Sequence, residues 1–111
     1  MSKLQDALDQ ITDPTVADAK TEFAQLINEG KASSDAFIKS SSEQLERWTI
    51  DVGAGKMSQE EFNDLLSAQT IVAKNFVASQ ALAAQERAER VMIKAGQLAA
   101  TKIVPMFLLG I

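Results

Sequence analysis

The side chains whose type and spacing come nearest to acid–base chemistry are two carboxylate pairs. Glu86 and Glu89 stand three residues apart, and Glu43 and Glu46 repeat that spacing, so each pair shares one face of a helix. Two such carboxylates can divide general-acid and general-base work if their surroundings push their pKa values apart. Glu86 and Glu89 each have Arg87 or Arg90 close by, and surface ion pairing is the expected outcome. Glu43 and Glu46 flank Leu45 and Arg47 on a helix surface. The 111 residues contain no histidine and no cysteine. That removes the commonest general base, the commonest metal ligand and any thiol nucleophile. The serines Ser40 to Ser42 have no base partner, and a di-iron bundle would need Glu-x-x-His motifs. Gly53-Ala54-Gly55-Lys56 is too short for a phosphate loop and follows a helix, where such a loop follows a strand. A non-enzyme without cofactor or metal is expected.

The segment Gly55-Lys56-Met57-Ser58-Gln59-Glu60-Glu61-Phe62 resembles the second half of an EF-hand calcium loop, with Gly55 as turn glycine and Glu61 as bidentate ligand. The first half fails, because Ile50, Val52 and Ala54 would stand at ligand positions and offer no side-chain oxygen. The same residues make a capping box, in which the Ser58 hydroxyl takes the third helical amide and Glu61 reaches back. With Leu45 and Trp48 upstream and Leu65-Leu66 downstream, the segment is also similar to the short helical hairpins, of the SHOCT type, at the C-termini of many bacterial proteins. That resemblance implies a bacterial source and a role in oligomerisation. Trp48 is most simply a core anchor.

The elements that must position these groups are helical throughout. Few glycines, two prolines and no tyrosine leave a composition of helix formers, and the length suits a single domain, residues 1–111. Leu4, Ala7, Leu8 and Ile11 predict a first helix over 2–12. Asp13-Pro14 caps and starts a second, over 14–29, stopped by Gly30. A third starts at Ser33 or Ser34 and runs to Val52, with Phe37, Leu45, Trp48 and Val52 inward. Gly30 to Phe37 is echoed by Gly55 to Phe62; a duplication and the convergence of two helix-turn-helix joints explain this equally well. Two copies are too few for a solenoid.

The run from Ser58 to Val104 holds no proline and one glycine, Gly96. As one helix it would be about 70 Å long, whereas a compact domain of this size is about 35 Å across. Either it breaks, or a second copy covers its far half. The fold expected is therefore all-α: a bundle of about four helices with a long C-terminal helix (58–104), extended or intertwined as an oligomer, and an apolar tail (105–111). On a wheel, Phe62, Leu65, Leu66, Val72, Ala73 and Phe76 share one side and should pack on the second and third helices. Further on, a small-residue seam runs through Ala81, Ala84, Ala88, Met92, Ala95 and Ala99, continuing to Ile103, Met106, Phe107 and Leu108. Steps of three and four are those of paired helices, and these residues are the expected interface of a homo-oligomer, most simply a dimer, or of a helical partner. A kink at Gly96 that folds the end back on its own bundle is the monomeric alternative.

The net charge of −4 is unevenly spread: residues 1–64 carry six basic and thirteen acidic side chains, residues 65–111 five and two. The simplest outcome is attraction between the halves. The alternative is a membrane-active protein, with Arg87, Arg90, Lys94 and Lys102 beside an apolar wedge at Met106 to Leu109. The acidic half argues against nucleic acid. No apolar secretory leader and no bilayer-length stretch is read, so a cytoplasmic protein is expected.

Overall fold

Short polar side chains set the helix starts. The computed structural model describes residues 3–109, with side chains as far as Phe107, and all regular structure among them is helical. α1 (Lys3–Leu8) buries Leu4, Ala7 and Leu8. It ends before Ile11, which is buried all the same, and the Lys20 ammonium donates to the Ile11 carbonyl at 2.6 Å. The Asp13 carboxylate accepts from the Thr15 amide (2.8 Å) and hydroxyl (2.7 Å). This opens a 3-10 turn, Pro14–Val16, that leads into α2 (Ala17–Lys31).

Two expected boundaries are corrected. Gly30 lies inside α2, where its missing side chain admits Ser42 of α3. α3 (Ala36–Gly53) is capped by Asp35, which accepts from the amides of Phe37 (2.9 Å) and Ile38 (3.2 Å). The Ser33 hydroxyl instead accepts from the Asp35 amide. α3 closes as a Schellman turn: the Lys56 amide bonds to the Asp51 carbonyl, the Gly55 amide to the Val52 carbonyl, and Gly55 takes φ of 77°. The capping box at Ser58 and Glu61 then starts α4 (Gln59–Ala78).

The run 58–104 is not one helix. It breaks at Ser79-Gln80-Ala81, and the chain reverses into α5 (Leu82–Glu89). From there the rod continues through a π-helical turn (Arg90–Lys94), α6 (Ala95–Leu98), a second π-helical turn (Ala99–Ile103) and α7 (Val104–Leu109). Gly96 makes no kink; its bare Cα lets Leu66 of α4 approach, since an added Cβ would stand 2.8 Å from a Leu66 methyl.

The π turns follow from the spacing of the rod's inward residues. Val91, Ala95, Ala99, Ile103 and Phe107 form one column with a strict step of four. Ala88, Met92, Gly96, Ala100 and Val104 form the next. All are buried except Ala100, which is half-buried. In an α-helix a step of four overshoots a turn by about 40°, so a column of five would drift by about 160° and wind into solvent. A π turn closes its bond one residue later and absorbs the overshoot. The Ala95 amide bonds to the Arg90 carbonyl and the Val104 amide to the Ala99 carbonyl in this way. The two columns stay aligned and face α2, α3 and α4.

The rod is thus the central helix of an elongated bundle, 43 × 25 × 23 Å. Phe23, Ile27, Phe62, Val91, Ile103 and Val104 are fully enclosed; each such side chain contributes about 1.5–3 kcal/mol. Trp48 is buried as the expected core anchor. The rings of Phe37 and Phe76, 4.6 Å apart, join α3 to α4. The charge asymmetry is satisfied within the chain: Glu29 receives Arg90 (2.5 Å) and Arg87 (3.3 Å), and Glu22 receives Lys94 (2.7 Å).

Candidate association surface

The seam expected to face a partner is turned inward in this chain. Ala88, Met92, Ala95, Ala99, Ile103 and Phe107 are buried, and the chain's own α2, α3 and α4 cover the rod. Met106 is half-buried, and the Leu108 side chain lies outside the described residues. Among the described side chains of that set, Ala81 and Ala84 are the exposed ones. The physical reason is the reversal at 79–81, which folds the rod against the helices that precede it.

What is left outside is the far face of α4. Phe62, Ala73 and Val77 hold α4 to α3 and the rod, with Leu66 and Phe76 half-buried. Leu65 and Val72, expected inward, are exposed (39% and 47%), and Ile71 is more so (65%). Beyond the corner Leu82 is 86% exposed, the largest value among the big apolar side chains. On α4, Ala68, Ile71, Asn75 and Ala78 are all exposed, and their steps of three, four and three are those of a helix seam; Leu82 follows four residues on in sequence, across the corner. Inspection of the outward side of the wheel would have found this stripe. On the wheel Leu65 and Val72 share a side with Phe62 and Phe76, which draws the expected core face away from it.

Charged groups flank the stripe. Asp64 and Lys74 are exposed on α4, Glu86 and Glu89 on α5. Neither carboxylate of the Glu86–Glu89 pair is buried, and no group of three or more acidic, histidine or cysteine side chains among the described residues could hold a metal ion. A cleft of about 640 Å³ lies at the bundle end between Gly53–Ser58 and Met106-Phe107. The serine and the carboxylate that line it, Ser58 and Glu61, are engaged with each other's backbone in the helix cap. The Asp13 carboxyl is held below its ordinary range, first by the Thr15 hydroxyl and then by the Thr15 amide.

No described helix is long and apolar enough to cross a membrane. No family model matches the sequence, and no curated protein or solved structure is significantly similar to it.

Proposed function

We propose that this chain works without catalysis, as a structural or adaptor component that associates helix to helix through the outer face of α4 and Leu82. The observation that carries this reading is the exposure of Ile71 (65%), within a seam-spaced stripe on α4, and of Leu82 (86%) just beyond the corner. Fully burying two such side chains is worth about 1.5–3 kcal/mol each, set against the roughly 4–15 kcal/mol that association costs, so neighbouring residues of the stripe must contribute too. The small side chains of Ala68 and Ala78 let a second backbone come close, and Asn75 supplies a polar group of the kind that sets register in paired helices. The basic residues Arg87, Arg90 and Lys94 are engaged by Glu29 and Glu22, so the membrane alternative gains no support from them.

Molar mass in solution, followed by light scattering over a concentration series, tests the reading. The wild type should gain mass with concentration, and Ile71→Glu and Leu82→Glu should suppress that gain without loss of helix by circular dichroism. Identical curves for all three chains would overturn it.

A further inference from the structure

The corner between α4 and α5 is held locally by two side-chain bonds, the Ser79 hydroxyl donating to the Phe76 carbonyl (2.6 Å) and the Gln85 side-chain amide donating to the Gln80 carbonyl (3.1 Å). Ser79, Gln80 and Ala81 include neither glycine nor proline, and no side chain caps the start of α5 at Ala81, whose φ and ψ are −61° and 149°. Alanine and glutamine are strong helix formers. Local propensity therefore favours an unbroken helix, and packing of the rod on its own bundle overrides it. The exposed stripe points the same way. Ala68, Ile71 and Asn75 on one side of the corner and Leu82 on the other keep a single seam register only if residues 79–81 are helical.

We propose that the corner is a hinge, and that its straightening lets two copies of this chain exchange their C-terminal rods. α4 and the rod become one long helix, and each rod enters the α1–α4 groove of the other copy. This deepens the association reading and rests on it, with a second copy as the partner. The exchanged contact needs no new surface. The columns of the rod fill the same groove, and Arg90 and Lys94 meet Glu29 and Glu22 of the other copy with the same charge complementarity. Sixteen residues of the rod between positions 82 and 107 are buried or half-buried, and in the exchange each copy contributes both a rod and a groove. The four-residue spacing that fits the rod to its groove acts equally within a chain and between chains, so the hinge decides which is made. The two straightened helices bring Ile71, Ala78 and Leu82 together along the seam.

The absence of cysteine gives a direct test. Chains carrying Glu29→Cys and chains carrying Arg90→Cys are mixed, concentrated, incubated at a temperature where the rod can leave its groove, and treated with a short thiol-to-thiol crosslinker. Exchange joins the two different chains across the groove; contact between closed copies leaves position 29 of one far from position 90 of the other. In parallel, Ala81→Pro fits the φ already present at the corner but cannot sit inside a continuous helix. It should hold the full-length chain closed, and its mass should stay that of one copy where the wild type doubles. A crosslink between the two chains, with Ala81→Pro monomeric, is the expected result. Association in wild type and Ala81→Pro alike, without the 29–90 crosslink, overturns the exchange and leaves the surface reading standing. A wild type that never gains mass overturns both.

Discussion

Gly30 of α2 and Ser42 of α3 meet so closely that a Cβ on Gly30 would stand 2.8 Å from the Ser42 Cβ and closer still to its hydroxyl. Ser42 is buried, and its hydroxyl has no hydrogen-bond partner among the described residues. Backbone proximity at this crossing outweighs both the helix propensity lost at the glycine and the satisfaction of the serine.

Gly30→Ala should therefore destabilise the fold. Alanine gains up to about 1 kcal/mol of helix propensity, but overpacking costs about 1–3 kcal/mol, and a collision with a Cβ cannot be relieved by rotation. Ser42→Gly in the same chain should restore part of the loss. Ser42→Ala alone should be neutral or stabilising, because it removes a buried, unpaired hydroxyl. Urea unfolding of the four chains measures all three statements.

The four-residue columns of the rod give a second test. Ala99 is buried and Thr101 exposed. Ala99→Leu should cost about 1–3 kcal/mol, while Thr101→Leu should stay within about 0.5 kcal/mol of the wild type. Equal costs in thermal unfolding would mean that the second π turn does not set the register.

Glu29 receives two arginines, and all three side chains keep substantial exposure. Glu29→Gln should lower stability by about 1 kcal/mol or less, and 1 M salt should remove most of the difference, as for other exposed pairs. Denaturation at low and high salt reads this directly.

Asp13 predicts a pH effect of definite sign. Its folded pKa lies below the ordinary 3.8, so its cap contributes fully above that value and is lost as pH falls through the folded pKa. The Tm difference between wild type and Asp13→Ala should be constant near neutrality and should shrink below about pH 4. A difference that persists unchanged into acid contradicts the assignment.

Much of the fold was legible. Helix-forming composition, Asp13-Pro14, the Ser58 box and Gly55 located the joints, because capping chemistry is local. The attraction between acidic and basic halves was also readable, and it is realised at Glu22 and Glu29. Gly30 was misread as a stop because a glycine needed for close contact looks the same as one needed for a turn. The reversal at Ser79–Ala81 carries neither glycine nor proline, and its side-chain bonds, Ser79 to the Phe76 carbonyl and Gln85 to the Gln80 carbonyl, involve residues equally at home in a helix; the rod's two columns find a groove to fill. The seam residues Ala88 to Phe107, expected to face a partner, are buried within the chain, and a wheel with a fixed 100° step set Val91 and Val104 apart from the alanines beside which they pack. The exposed stripe on α4 lay in the same wheel, on the side facing away from the core.

The rod that fills the groove is also the part of the described chain made last. During synthesis, α1 to α4 emerge from the ribosome ahead of Val91, Ala95 and Ile103. The nascent chain therefore presents an apolar slot that only later-arriving sequence can close.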